Sequence, residues 1–286
     1  MTDHPDESLN AAARTSTVGT IDVVSLNDGL LQLPPSRFVD VASGNAATAA
    51  EVGQETAAIP VNCFLVRTGK DIILIDAGCG GAFGARGGHL LESLRLAGHG
   101  PDDVATILMT HLHVDHAAGL VDEQGEPVFR RAQLHVADAE IAHWRAMAAS
   151  TAAPDLSTKA ASAAMKAYAG RLHGFAPGAR LNPAIEGVPL PGHTPGHTGF
   201  MIADGGEKLL IWGDIIHSAA LQFAHPEFGY AADVDGALGV ETRRRMFASA
   251  AESGLRVAGM HLPYPGIGRV ERAGDRFTFA PAPAAR

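Results

Sequence analysis

Residues 110–116 contain three histidines and one aspartate, and they directly follow residues 105–109, a run apolar enough to form a buried strand. So many polar side chains are hard to bury without a cation, because each imidazole and the carboxylate would need its own hydrogen-bond partner. A single buried histidine is usually a satisfied core residue, but a cluster of three fits that interpretation poorly. The stretch therefore predicts a metal site at the end of a strand.

The spacing inside this stretch indicates two adjacent ions. His111 and His113 are two residues apart, so on an extended backbone they project to the same side and can bind one ion together. Asp115 and His116 follow where the chain leaves the strand, and a change of backbone direction there aims them at a second ion.

Other polar residues occupy equivalent places further along the chain. Each follows directly on a predicted strand, and strand ends from different parts of a sheet sandwich can converge on one edge. Strand-rich blocks interleaved with helices, in two halves, predict an α/β fold in which two packed sheets are covered by helices. The additional strand-end residues are Asp76, His193, Asp214 and His261.

Convergence would bring five histidines and two aspartates to two ions, with room for a shared water. This set has no thiolate and suits Zn²⁺, while Mn²⁺, Fe²⁺ or Co²⁺ also fit. A shared water that loses its proton near neutral pH becomes a hydroxide nucleophile, which predicts hydrolysis. Asp115 is the candidate acid for the leaving group, because a carboxylate bound through one oxygen keeps the other free. The predicted ligands are His111, His113 and His193 for the first ion, Asp115, His116 and His261 for the second, and Asp214 as a bridge.

Length and charge narrow the class of protein. No linker-like tract divides the 286 residues, so we predict a flexible arm over residues 1–18 and a single domain over residues 19–286. The net charge of −9 argues against a nucleic-acid groove and favours a small uncharged substrate.

The remaining composition predicts a cytoplasmic protein. The N-terminus lacks the basic and apolar regions of a secretory signal, and no apolar run reaches the roughly 18 residues that a membrane span needs. Cys63 and Cys79 are too few for a disulfide scaffold, which favours two free thiols and leaves their pairing open. Residues 20–33 are predicted to form a hairpin around Asn27-Asp28-Gly29, and with the segment after it this hairpin is a candidate homodimer surface.

These motifs resemble the metallo-β-lactamase superfamily over roughly residues 20–280. His111-x-His113-x-Asp115-His116 matches its signature, and the other strand-end residues fill the remaining positions in order. The resemblance implies an αββα four-layer sandwich of two mixed β-sheets flanked by helices, with a dinuclear centre. It also makes Asp76 a second-shell residue that orients a ligand such as His116.

Within the superfamily, the chain is similar to the branch that includes methyl parathion hydrolase and the quorum-quenching acyl-homoserine lactonases. The commonest class of true β-lactamases has Cys where this chain has Asp214, which argues against drug hydrolysis. The resemblance therefore implies an enzyme that opens lactones or cleaves aryl esters, with phosphotriester hydrolysis as a side activity.

The substrate pocket is less constrained by the sequence. Phe83 and Trp144 fall where the resemblance implies pocket aromatics, and Phe223 and Phe228 lie on a loop that leaves the site. His217, three residues after Asp214, is a further pocket candidate. Each of the four aromatic residues would equally fit ordinary core packing.

Two other classes of protein stay open. An iron-dependent redox enzyme would use the same ligands, although no flavin-binding segment accompanies them here. A non-catalytic protein would keep the metals only for structure. Metal analysis distinguishes the redox enzyme from a hydrolase, and substrate turnover distinguishes the non-catalytic protein from a hydrolase.

Overall fold

The computed structural model describes residues 13–53 and 57–282, and these contain sixteen strands. Their apolar residues are buried, as expected for strands with sheet or helix on both sides. In chain order the strands are β1 (Arg14–Val18), β2 (Ile21–Leu33), β3 (Phe38–Asp40), β4 (Ala57–Thr68), β5 (Asp71–Ile75), β6 (Thr106–Leu108), β7 (Gln133–Ala137), β8 (Leu172–Phe175), β9 (Arg180–Asn182), β10 (Ile185–Pro189), β11 (Thr198–Asp204), β12 (Glu207–Ile211), β13 (Phe228–Tyr230), β14 (Arg256–Ala258), β15 (Ile267–Ala273) and β16 (Arg276–Pro281).

The strands form two seven-stranded mixed sheets and one small sheet. The first sheet has the order β1-β2-β4-β5-β6-β7-β8, and its strands from β5 to β8 run parallel. The second has the order β16-β15-β14-β12-β11-β10-β9, in which only β12 and β14 pair in parallel. β3 and β13 pair separately, antiparallel to each other.

Helices cover the outer face of each large sheet. Leu94, Trp144 and Ala164 pack helices onto the first sheet, and Phe247 packs the last helix onto the second. A third apolar cluster lies between the sheets, so the predicted αββα sandwich is confirmed. The helices are α1 (Ala49–Val52), α2 (Leu90–Leu96), α3 (Val114–Ala117), α4 (Asp138–Ser150), α5 (Leu156–Ala167), α6 (Ala219–Gln222) and α7 (Gly236–Ser253).

The N-terminal predictions need two corrections. The arm predicted over residues 1–18 does not reach residue 18, because β1 pairs with β2 along its whole length; residues 1–12 lie outside the described residues. Residues 20–33 do not form a hairpin, because β2 continues through Asn27-Asp28-Gly29 as one strand with an irregular register there. The single domain over residues 19–286 and the homodimer stay predictions.

Asp28 explains why the chain does not turn at this point. Its buried carboxylate accepts hydrogen bonds from Cys79 N (2.7 Å) and Leu90 N (2.9 Å), so it holds the loop after β5 against β2. Burial raises the pKa of Asp28 above the usual value for aspartate. Both cysteines, Cys63 and Cys79, are free and buried.

None of the helices within residues 13–53 and 57–282 has both the length and the apolar character needed to cross a bilayer. The cytoplasmic location stays a prediction.

The contacts of Asp28 predict a large stability effect. Asp28→Ala leaves two buried backbone N–H groups without acceptors, so we expect the free energy of unfolding to fall by about 2–5 kcal/mol. Urea denaturation of both proteins measures this difference. Asp71→Ala, at an exposed position in β5, is the control and should change stability by less than about 0.5 kcal/mol. Equal urea midpoints for wild type and Asp28→Ala would contradict the prediction.

Candidate metal centre

The predicted ligands converge at one end of the sandwich, because each follows the end of a strand or sits in the turn after it. Asp76 follows β5, residues 110–113 follow β6, and α3 carries Asp115 and His116. His193 lies in the loop after β10. Asp214 lies in the 3₁₀ turn Gly213–Ile215 after β12, and His261 follows β14.

Among the described residues, four groups of three side chains bring their ligand atoms within 4.8 Å of one another. Two of these groups coincide with the sets predicted for the two ions. A third joins Asp214 to one member of each set, and the fourth adds His217. The groups are His111, His113 and His193; Asp115, His116 and His261; His111, His116 and Asp214; and His193, Asp214 and His217.

Asp214 lies between the two predicted ligand sets. Its Oδ2 is 3.2 Å from His193 Nε2 and 3.6 Å from His111 Nε2. The same oxygen is 3.3 Å from His261 Nε2, and Oδ1 is 3.3 Å from His116 Nε2. One carboxylate therefore faces imidazoles of both sets, which is the position a bridging ligand needs.

Several buried atoms at the centre have no hydrogen-bond partner within the described part of the chain. They include His111 Nε2, His116 Nε2 and Asp214 Oδ1. Buried polar atoms are costly without partners, and a bound cation would satisfy these three. Imidazoles with carboxylates are a typical donor set for Zn²⁺ and related divalent ions. The residues present therefore fit divalent metal ions.

Asp76 lies behind one of the candidate ligands, as predicted. Its Oδ2 is 2.7 Å from His116 Nδ1 and accepts a hydrogen bond from Thr110 Oγ1, while Oδ1 accepts one from Thr110 N. Asp76 has a φ of 59°, a left-handed conformation that is strained for a residue other than glycine. The strained backbone aims this carboxylate at the ring, which fixes the ring with Nε2 toward the site.

Sequence reasoning missed an equivalent carboxylate, Asp233. Its Oδ1 is 2.7 Å from His193 Nδ1, and its Oδ2 accepts a hydrogen bond from Tyr230 N. Asp233 follows β13, which belongs to the small sheet, so the strand-end pattern that marks the ligands gave no signal for it. His261 Nδ1 is held in the same way, 2.7 Å from the carbonyl oxygen of Pro60.

His197, four residues after His193, supports the turn that carries Asp214. Its Nδ1 donates to Leu190 O (2.8 Å), and its Nε2 accepts a hydrogen bond from Asp214 N (2.9 Å). Burial lowers the pKa of His197 to about 3, so the ring is neutral at pH 7 and keeps this acceptor. His197 is thus a support rather than a ligand.

The electrostatics differ between rings of the first set. Burial lowers the pKa of His111 and His113 well below 6.5, and neighbouring imidazoles lower it further. Burial also lowers the pKa of His193, but the carboxylates of Asp214 and Asp233 outweigh this and raise it to about 9. Two rings therefore offer free lone pairs at pH 7, and the third gives up a proton when a metal binds.

A cavity of about 240 Å³ opens directly above these side chains. Its floor contains His113, Asp115, His193, Asp214 and His261. Most of the wall residues are apolar. The wall residues include Leu31, Leu33, Ile59, Phe83, Leu156, Arg37, His217 and Tyr230.

The pocket predictions are partly corrected. Phe83 and His217 line the cavity, whereas Phe223 and Phe228 are buried in apolar clusters, because the loop folds back onto the sandwich. Trp144 packs beneath the site instead of facing substrate: its ring centre is 5.3 Å from that of His113.

Tyr230 and Arg37 are wall residues that the sequence did not indicate. Tyr230 stacks on His217 with ring centres 4.1 Å apart, and His217 stacks on His261 at 5.2 Å. The Arg37 guanidinium lies 5.3 Å from the centre of the Tyr230 ring. His217 Nε2 is also 3.1 Å from Asp214 Oδ2, so this column of rings connects the cavity wall to the centre.

The contact between Asp233 and His193 predicts an effect on metal affinity. Asp233→Asn weakens the partner that orients His193, and we expect zinc affinity to fall about 10–100-fold. Competition with a chromophoric chelator measures it. The matched control is Asp235→Asn, two residues away, whose side chain caps α7 through Leu238 N. That variant should bind zinc as the wild type does; the same loss in both would argue against a specific role for Asp233.

Sequence and structure comparisons place this geometry in a known family. The family described as the metallo-beta-lactamase superfamily matches residues 57–242. No curated protein matches the chain. Among solved structures, the hydrolase AbOPH of the beta lactamase superfamily is 29% identical, with a TM-score of 0.84 over 95% of this chain and 98% of that one.

Two further structures share the fold. AidC, described as a dizinc quorum-quenching lactonase in complex with an N-acyl-L-homoserine product, is 28% identical, with a TM-score of 0.85 over 96% of this chain and 99% of that one. A probable metal-dependent hydrolase from Staphylococcus aureus is 22% identical, with a TM-score of 0.78 over 95% of this chain and all of that one. Together with the cluster of histidines and aspartates, the family match identifies this chain as a metal-dependent hydrolase that belongs to the metallo-beta-lactamase superfamily.

Proposed function

We propose that this chain is a dinuclear metallohydrolase that opens lactones or cleaves aryl esters. The observation that carries the proposal is the position of Asp214, whose two oxygens face both predicted ligand sets beneath an apolar cavity. A carboxylate shared in this way is the arrangement that two-metal hydrolases use. Zn²⁺ is the proposed native metal, and Mn²⁺, Fe²⁺ or Co²⁺ fit the same donors.

The cavity supports a small uncharged substrate. Its walls include Leu31, Leu33 and Ile59, which suit an acyl chain or an aryl ring. The similarity to AidC, a lactonase described with an N-acyl-L-homoserine product, favours lactones of this kind. Aryl esters react at a carbonyl carbon in the same way. We propose phosphotriesters as side substrates because a nucleophilic oxygen adds to their phosphorus atom as it adds to a carbonyl carbon.

Divalent ions, when bound, supply Lewis acidity and a hydroxide nucleophile near neutral pH. The protein's part is to hold its ligands in place and to manage the leaving-group proton. Asp115 lines the cavity with its side chain 18% exposed, and its Oδ2 is 3.5 Å from His261 Nε2. We assign Asp115 as the residue that takes the proton released as the attacking oxygen becomes part of the acid product and passes it to the leaving oxygen. His217 is assigned to the wall of the substrate pocket, with its Nε2 3.1 Å from Asp214 Oδ2.

The first test is hydrolysis of a panel by metal-quantified protein: dihydrocoumarin, an acyl-homoserine lactone, an aryl acetate and methyl paraoxon. We expect about two metals per chain and turnover of a lactone or ester. His113→Ala should lower that turnover at least about 100-fold, because it removes a ligand. His173→Ala, at an exposed position in β8, is the control and should keep full activity.

Three results would oppose the proposal. Metal-replete protein that turns over none of the panel would favour a non-catalytic metal protein. Iron as the only metal that supports activity, with oxygen consumed, would favour the redox enzyme. Full activity in His113→Ala would contradict the proposed set of ligands for the first ion.

The role of Asp115 predicts a dependence on the leaving group. An aliphatic lactone expels a strongly basic alkoxide that needs a proton, whereas an aryl acetate with a nitrophenol leaving group does not. Asp115→Asn should therefore lower kcat for the lactone at least about 100-fold more than kcat for the aryl acetate, at matched metal content. An equal loss for both substrates would mean that Asp115 acts only as a ligand.

A further inference from the structure

Glu140, in the first turn of α4, is a fully buried carboxylate that accepts four hydrogen bonds. Its Oε1 accepts from Leu112 N at 3.0 Å and from Trp144 Nε1 at 2.6 Å. Its Oε2 accepts from Thr194 Oγ1 at 2.6 Å and from Gly196 N at 3.2 Å. Both oxygens are thus satisfied by donors from three different segments of the chain.

Two of these segments carry the first predicted ligand set. Leu112 lies between His111 and His113, and Thr194 directly follows His193. His113 Nδ1 and His193 Nε2 are 2.8 Å apart, although 80 residues of chain separate them. Glu140 therefore joins, through one side chain, the two loops that have to bring three imidazoles to the same point.

The packing around Glu140 is too close for the loops to shift freely. A Cβ atom at Gly196 would lie 2.2 Å from Glu140 N, so only glycine lets this loop rest on the first turn of α4. On the other side, Trp144 is held by Glu140 and places the edge of its ring against His113. The helix thus forms a floor under both ligand loops.

Glutamate has a chemical property that its isostere lacks here. Each oxygen of a carboxylate only accepts hydrogen bonds, and all four partners of Glu140 are donors. Glutamine would turn an NH₂ group either toward Leu112 N and Trp144 Nε1, which only donate, or toward Gly196 N and the Thr194 hydroxyl, of which only the hydroxyl can accept. Either orientation leaves a buried backbone N–H of one loop, Leu112 or Gly196, without its acceptor, while the volume of the side chain stays the same.

We propose that Glu140 is a positioning residue for His111, His113 and His193, which we call the three-histidine group. It sets the geometry of this group by anchoring both of its loops on one carboxylate. The inference rests on the metal centre of the proposed function, and it extends that centre to a residue that touches neither substrate nor ligand atoms.

The test is zinc binding by Glu140→Gln in buffered free zinc, without substrate. We expect the zinc affinity of the three-histidine group to fall about 10–100-fold. Over a range of free zinc concentrations at which the wild type still binds two ions per chain, the variant should therefore bind one. Replacement by Co²⁺ and its absorption spectrum report whether the remaining ion keeps its geometry. Unchanged affinity at both positions would overturn the proposal.

A control separates positioning from loss of stability. Ile141 is the next residue on α4 and packs into the core of the first sheet, so Ile141→Ala lowers stability and leaves the four hydrogen bonds of Glu140 in place. It should unfold at a lower temperature and still bind two zinc ions with wild-type affinity. A similar loss of zinc in Ile141→Ala and Glu140→Gln would mean that the effect is general destabilisation.

A second pair of variants applies if Glu140→Gln does not fold. Thr194→Val removes the hydroxyl that donates to Glu140 Oε2, and Thr194→Ser keeps it. We expect zinc affinity to fall several-fold in the valine variant and to be restored in the serine variant. Equal affinities in the two variants would also overturn the proposal.

The outcomes for Glu140 and for the enzyme are independent. A wild type that binds two zinc ions but hydrolyses nothing would reject the proposed function, while a loss of zinc in Glu140→Gln would still support its positioning role. A hydrolase whose Glu140→Gln variant binds zinc normally would support the function and reject the role of Glu140.

Discussion

The carboxylate of Asp214 has four imidazole nitrogens of the predicted ligands within 3.6 Å, and His217 as a fifth neighbour. Such a concentration of polar groups is stable inside a protein only when every one of them has a partner. Much of the fold supplies those partners, since strands of both sheets end at this point. Burial raises the pKa of Asp214, but the surrounding histidines outweigh it and hold the pKa well below the usual value for aspartate. The Asp214 carboxylate therefore stays ionised throughout the physiological range.

A second layer of contacts fixes the rings from behind. His116 is held by Asp76, His193 by Asp233 and His261 by a backbone carbonyl, each through Nδ1 at 2.7 Å. In each case Nε2 is left facing the site, so the tautomer and the orientation are set before any ligand arrives. The geometry of these three rings is thus set by the protein itself.

The sequence locates the residues that converge at the candidate centre because they obey a local rule: a polar residue soon after an apolar strand. The rule does not reach Asp233, which follows a strand of the small sheet, or Glu140, which looks like an ordinary charged residue of a helix. Asn27-Asp28-Gly29 has the local composition of a turn, yet the buried contacts of Asp28 favour a continuous strand. In each of these places the structure depends on contacts with residues that are distant in the chain, and local composition does not reveal such contacts.

The small sheet formed by β3 and β13 joins the segment after β2 to the loop that carries Tyr230. Arg37, directly before β3, reaches over that ring, so this pairing builds one wall of the cavity from two distant parts of the chain. Neither strand belongs to the large sheets whose ends carry the ligands. The same strand β13 also supports the metal centre, because Tyr230 N donates to Asp233, whose other oxygen contacts His193. Mutations that reshape the small sheet therefore change the cavity wall and the support of a candidate ligand together, which limits how freely this wall can evolve.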